Sequence, residues 1–362
     1  YVVLNILVII CMVAGGLNKR IIQQFSIHIL YILLLIISLG ASIFLLDDPG
    51  EAIIAFGLYS LPILIWVCIY SNIRKVSYFD LFSKTMLISG LVGYIGVIQY
   101  FFNPTLWGLI PANSNALIWA EGKSFAEYAL FFRATSIVGS PQVLSLFCAL
   151  TLIINLRYKK HLKPWSFYFS SIGLLLGGMV TGSKLFFLLV FIYIFFSQFQ
   201  KFKYILYSIA FVSIISLFVS SLNLNIYEQI PAIERVFSIE GIVQQEKEDS
   251  RIDRYLYIIN ETNPIYGNGL GSITNKSVQG LRAAESYIFK IYYEIGFMTL
   301  LVFLGVCFMS FFGYLHVSIN DAFIILLMLL GMLLVHAHDS PVFFMIWGYF
   351  IRGNIYLYKK LV

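Results

Sequence analysis

Residues 135–199 read TSIVGSPQVLSLFCALTLIINLRYKKHLKPWSFYFSSIGLLLGGMVTGSKLFFLLVFIYIFFSQF. Three apolar runs are separated by a strongly basic turn, Arg157-Tyr-Lys-Lys-His-Leu-Lys163, and by a four-residue polar turn, Thr181-Gly-Ser-Lys184. Each run approaches the length that carries an α-helix across about 30 Å of hydrocarbon. The same alternation extends in both directions and predicts spans near 1–17, 26–46, 52–70, 81–102, 135–156, 164–181, 184–199, 203–222, 285–314, 321–336 and 341–357. The expected architecture is therefore an all-α, polytopic helix bundle, a single integral membrane unit over residues 1–362 with about eleven spans.

Composition agrees. The chain is 60% hydrophobic and 12% charged, roughly half the charge of a soluble domain at about 25%. Its 33 Phe and 24 Tyr suit helices that meet lipid and headgroups. These values exclude a soluble enzyme. The net charge of +6 does not point to nucleic acid, because the basic residues fall in short turns and form no basic face. Cys11, Cys68, Cys148 and Cys307 all lie in apolar runs without CxxC spacing and read as small core residues.

Charge also orients the bundle. If Asn18-Lys19-Arg20 is cytoplasmic, the turns at Arg74-Lys75, Arg157–Lys163, Lys201-Phe-Lys203, His316 and Lys359-Lys360 are cytoplasmic too, as the positive-inside rule requires. The opposite side receives Asp47-Asp48, Thr181–Lys184, Ala337-His-Asp-Ser340 and two long loops, about 103–134 and 223–284. Tyr1 begins within an apolar run on that side, so one further preceding helix is expected, about twelve in all. Both loops carry aromatic and aliphatic residues and are expected to fold as caps.

Within the second loop, Asp249–Asn260 reads as a helix with Ser250 at its N-cap, stopped by Asn263-Pro264. Arg251, Arg254, Tyr255 and Ile258 share one of its faces. Two guanidinium forks three residues apart could grip a phosphate or pyrophosphate; the plainer alternative is a solvated face with Asp253 and Glu261 as partners. Gly267, Gly269 and Gly271 form a tight loop where backbone could approach a ligand closely, although no strand precedes it, so a dinucleotide fold is not supported. Lys290 pairs with Glu294 at i,i+4, which leaves Glu285 unexplained at a membrane boundary. Arg133 fits either a ligand or an interfacial snorkelling side chain. Lys184 could meet a lipid phosphate or act as an anchor. His336, His338 and Asp339 are metal-ligand types, but histidines two apart on a helix diverge.

In this order, Arg133 with Gly139-Ser-Pro141, Thr181-Gly-Ser-Lys184, Ser250-Arg251, Asn263-Pro-Ile-Tyr-Gly267-Asn-Gly-Leu-Gly271, and Glu285-Ser-Tyr287 through Tyr293-Glu-Ile-Gly296 resemble the O-antigen polymerase and O-antigen ligase family of the bacterial envelope. The likeness covers residues 130–310 in detail and the whole chain in topology. It implies a membrane glycosyltransferase acting on the outer face of the bacterial cytoplasmic membrane, with undecaprenyl-pyrophosphate-linked oligosaccharides as substrate. A chain-length regulator and a flippase are its implied companions. Ligases of the family carry a histidine where this chain has Glu285-Ser286, which favours a polymerase of O-antigen, capsule or exopolysaccharide. On this reading Arg251 and Arg254 stabilise the departing pyrophosphate and Glu285 takes the acceptor's proton. Arg133, Lys184, Tyr255 and the three glycines bind substrate. Neither long loop carries an Asp-x-Asp motif, so no metal or other cofactor is expected. A ligase, or a polysaccharide transporter or flippase, is the alternative.

Overall fold

A computed structural model describes residues 26–45, 49–72, 78–102, 134–138, 140–199, 256, 258–272, 286–315 and 318–335. Among them there is helix and turn but no strand. The helices are α1 (Ser26–Leu45), α2 (Pro49–Asn72), α3 (Tyr78–Phe101), α4 (Pro141–Arg157), α5 (Pro164–Met179), α6 (Lys184–Phe199), α7 (Tyr287–Leu315) and α8 (Ile319–Leu334). Two segments, Phe82–Phe101 and Tyr287–Phe308, are long and apolar enough to cross a membrane. Shorter apolar helices cover Ile29–Phe44, Pro141–Arg157, Lys184–Ser197 and Ile319–Leu334. The predicted spans 1–17, 203–222 and 341–357 lie outside the described residues.

The chain divides into two compact units, residues 1–82 with 248–362, and residues 83–247. In the first, α1 packs against α2 and α7, and α7 against α8. Its interior is aromatic. Tyr59 stacks on Tyr287 at 5.9 Å between ring centres, Tyr287 meets Phe303 edge-on at 5.5 Å, and Tyr31 lies 5.8 Å from Phe303. All four rings are buried.

In the second unit α4 is the central helix, buried from Val143 through Asn155 and packed on α5 and α6. Asn155 fastens α4 to α5, its Nδ2 donating to Ser170 Oγ and Ser171 Oγ, each at 2.8 Å. Helix α3 crosses α5 at small residues: a Cβ built on Gly93 would lie 2.0 Å from the Gly173 carbonyl oxygen, and one on Gly173 would lie 2.4 Å from the Gly90 carbonyl oxygen. Backbone here touches backbone, as in close transmembrane crossings.

The predicted span 135–156 begins later than expected. Pro141 occupies the first turn of α4, where its missing N–H leaves nothing unsatisfied. Residues 134–138 approach it as irregular chain and a short 3-10 turn, with Ser136 at φ 49°.

Candidate functional site

The predicted span 285–314 corresponds to α7, but α7 is interrupted at Gly296, whose φ of 83° and ψ of 177° no helix accommodates. An unbroken helix would bond the Phe297 N–H to the Tyr293 carbonyl. Instead Phe297 N–H donates to the Pro264 carbonyl at 2.9 Å, and the Tyr293 carbonyl accepts from Asn268 N–H at 2.8 Å. Gly269 N–H donates to the Glu294 carbonyl at 3.0 Å. The glycine loop thus supplies the partners that the break removes, satisfying buried backbone groups that would otherwise destabilise the junction.

Side chains shape the loop before it docks. The helical segment ends at Glu261, before Asn263-Pro264, as the sequence predicts. Asn263 Oδ1 accepts from Ile265 N–H at 3.1 Å, while Asn268 accepts from Asn263 N–H at 3.1 Å and donates to the Glu261 carbonyl at 3.0 Å. Gly267, Gly269 and Gly271 all have positive φ. A Cβ on Gly267 would lie 2.5 Å from the Glu294 carbonyl carbon, and one on Gly296 would lie 2.5 Å from the Ile265 carbonyl oxygen. Leu270 N–H donates to Ser42 Oγ at 2.7 Å, tying the loop to α1, and Gly271 abuts Glu51 of α2. The close approach these glycines permit is to the chain's own backbone.

Beside the break sits a carboxylate. Glu294 is fully buried, and Lys290 Nζ lies 3.9 Å from its Oε1, the i,i+4 pair read from the sequence. Glu294 also interacts with Tyr59 and Tyr287. A buried acidic group within an apolar helix is a functional-site signal, whereas its spacing in the sequence shows only the pairing with Lys290. Tyr59 reaches it from α2 and Tyr287 from its own helix, and Tyr31 of α1 interacts with those two tyrosines; spacing along the chain gives no sign of this grouping.

In the second unit another pair of distant motifs meets. Ala134 N–H donates to the Val180 carbonyl at 3.3 Å, so the residue after Arg133 is joined to the residue before Thr181-Gly-Ser-Lys184. Gln99, buried near the end of α3, holds the same segment: its Oε1 accepts from Thr135 N–H at 2.8 Å and Ser136 N–H at 2.7 Å, and its Nε2 donates to Thr135 Oγ1 at 3.0 Å. Ser136 Oγ donates to the Val92 carbonyl at 2.7 Å. Lys184 opens α6 with its side chain exposed. These residues occupy the end of the unit opposite the Arg157–Lys163 turn, since α4 starts and α5 finishes there.

Gln99→Leu should leave the Thr135 and Ser136 N–H groups buried without an acceptor, at about 1–3 kcal/mol each. The expected outcome is a clearly lowered melting temperature in detergent, with Gln99→Glu closer to the parent because it keeps the accepting oxygen. An unchanged melting temperature for the leucine variant would show that the segment is held by other contacts.

Arg133, Arg251, Arg254, Tyr255 and Glu285 lie outside the described residues, as do His336, His338 and Asp339. Among the described residues no group of three or more His, Cys, Asp or Glu side chains gathers. No family model matches the chain, and neither a curated protein nor a solved structure matches it.

Proposed function

We propose that this chain is a polytopic membrane glycosyltransferase, with about eleven spans in the sequence and about twelve in the full protein, that polymerises lipid-pyrophosphate-linked oligosaccharide repeats on the outer face of the bacterial cytoplasmic membrane. One observation carries the reading: segments picked out by their resemblance to envelope polysaccharide polymerases and ligases, though distant in sequence, are bonded together within each unit. Asn263–Gly271 docks on Tyr293–Gly296, and the residue after Arg133 bonds beside Thr181–Lys184.

The chemistry follows from the donor. Outside the cytoplasm there are no nucleotide sugars, so the glycan must arrive already activated on lipid pyrophosphate. As the bond between the anomeric carbon and the pyrophosphate oxygen breaks, negative charge grows on the leaving group. Arg251 and Arg254 stabilise that charge, and Arg133 and Lys184 are assigned to substrate binding. The acceptor hydroxyl forms the new bond to the anomeric carbon and gives its proton to a carboxylate, assigned to Glu285. Tyr255 and the loop of Gly267, Gly269 and Gly271 line the substrate's approach. The reaction needs no metal, and Glu285-Ser286 in place of the ligase histidine favours chain elongation over transfer to a lipid or protein acceptor.

A transporter or flippase is the second reading, and the buried Glu294 beside Lys290 favours it, because ionisable groups inside spans often line a path. Purified protein supplied with undecaprenyl-pyrophosphate-linked repeats should produce a ladder of longer glycans. Arg251→Ala or Arg254→Ala should remove most of the ladder, and lysine should restore it only in part, since it lacks the planar fork. Movement of the lipid-linked repeat across vesicles without elongation would establish the transporter instead.

A further inference from the structure

The Arg157–Lys163 turn takes no part in the chemistry above. It places Arg157, Lys159, Lys160, His161 and Lys163 together, in a stretch of chain, residues 128–227, that contains no Asp or Glu. Tyr158 and Leu162 are buried and pin the turn, whereas Lys159, Lys160, His161 and Lys163 are exposed. The turn is ordered by backbone bonds, His161 N–H to the Tyr158 carbonyl at 2.9 Å and Leu162 N–H to the Lys159 carbonyl at 3.2 Å. Lys159 Nζ sits 5.0 Å from the centre of the Phe167 ring.

An apolar track starts where the charge ends. Trp165 is 67% exposed, and Tyr168, Ile172, Leu175 and Leu176 follow it at 57%, 49%, 44% and 39%. Their spacing puts them along one face of α5. Trp165 lies flat on Phe169 at 5.3 Å, a position that suits an interfacial aromatic. A cationic turn beside an apolar stripe complements an anionic phospholipid, with its charged headgroup and acyl chain, and neither a nucleic acid nor a soluble acidic peptide would use the stripe.

We propose that the Arg157–Lys163 turn and the Trp165–Leu176 face of α5 form a binding site for an anionic phospholipid, the lysines holding the headgroup phosphate and the helix face carrying an acyl chain. A lysine near an anionic lipid surface is worth about a fivefold change in affinity. The site is independent of the glycosyltransferase reading, and its basic turn sits at the other end of α4 and α5 from the motif residues.

The test uses the full chain in a zwitterionic detergent, titrated with soluble dihexanoyl phosphatidylglycerol and with dihexanoyl phosphatidylcholine. The phosphatidylglycerol should bind more tightly, and its affinity should fall as salt is raised. Joint replacement of Lys159→Gln, Lys160→Gln and Lys163→Gln should weaken it on the order of a hundredfold and leave the phosphatidylcholine affinity unchanged. Equal binding of the two lipids, salt-independent binding, or full affinity in the triple variant would overturn the proposal. So would inorganic phosphate binding as tightly as phosphatidylglycerol, which would mark a free-anion site. Should the variant fail to fold, the lipid comparison and salt titration on the unaltered protein decide the matter.

Discussion

Gly93→Val is expected to abolish recovery of folded protein. A Cβ at Gly93 would stand 2.0 Å from the Gly173 oxygen and 2.5 Å from its carbonyl carbon, and a Cβ on the facing Gly177 would stand 2.5 Å from the Gly93 Cα. The obstructing atoms are backbone, so no rotamer change relieves the clash. Relief requires α3 and α5 to separate, which would break the Ser83–Ser166 hydroxyl contact at 3.1 Å and the Tyr94 hydroxyl bond to the Phe169 carbonyl at 3.2 Å. Overpacking usually destabilises by about 1–3 kcal/mol when side chains can shift. Here a whole helix crossing is lost, an effect comparable with a typical total stability of about 5–15 kcal/mol. Monodisperse yield after detergent extraction measures it, with Gly40→Ala as a control because nothing lies within 4 Å of a Cβ there. Parent-like yield for Gly93→Val would mean that the crossing is not needed for the fold.

Two carboxylates nine positions apart should respond to the same substitution in different ways. If Glu285 takes the acceptor proton, Glu285→Gln preserves size and hydrogen bonding but removes the base, and the initial rate should fall about 10² to 10⁴-fold with substrate affinity little changed. Glu294→Gln should register first as instability. It alters a fully buried partner of the partly exposed Lys290, and leaving a buried polar group without its partner destabilises by roughly 1–3 kcal/mol. Rates and melting temperatures measured for both variants separate these roles. A Glu285→Gln rate within about threefold of the parent would end the assignment of a general base, because that role is worth far more.

Most of the helical plan was legible. The apolar runs 26–46, 52–70, 164–181, 184–199 and 321–336 each overlie a helix whose ends differ from the reading by a few residues. Length and composition suffice for that, because burying a helix in lipid or core demands a continuous apolar stretch. The break at Gly296 was not legible, since a glycine within an apolar run has the same composition whether the helix passes through it or stops. The tight crossing has a signal in the sequence, because Gly173-Leu-Leu-Leu-Gly177 has the spacing of close-packed helices.

The site was readable in parts. Three glycines and an Asn-Pro stop announced a tight loop, and its positive φ values agree. Its docking place was hidden because the joining bonds run between backbone atoms, which carry no residue code. Lys290 and Glu294 are legible as a pair, but the same spacing on a solvated helix looks identical, so the burial of Glu294 shows only once Tyr59 of α2 is brought against it. Gln99 belongs to the same class. A lone glutamine in an apolar run says nothing until the N–H groups it serves, at Thr135 and Ser136, are brought against it.

The exchange of partners at Gly296 bears on how such chains diverge. Phe297 and Gly269 contribute only their main-chain groups to that junction, so most substitutions at Phe297 leave its bond intact, proline being the exception. Selection on the junction therefore falls on smallness at Gly267 and Gly296 and on the amides of Asn263 and Asn268, and very little on the letters between. Over long descent the loop and the broken helix can stay joined while the surrounding text is rewritten, leaving only a few scattered glycines and asparagines as the inherited mark.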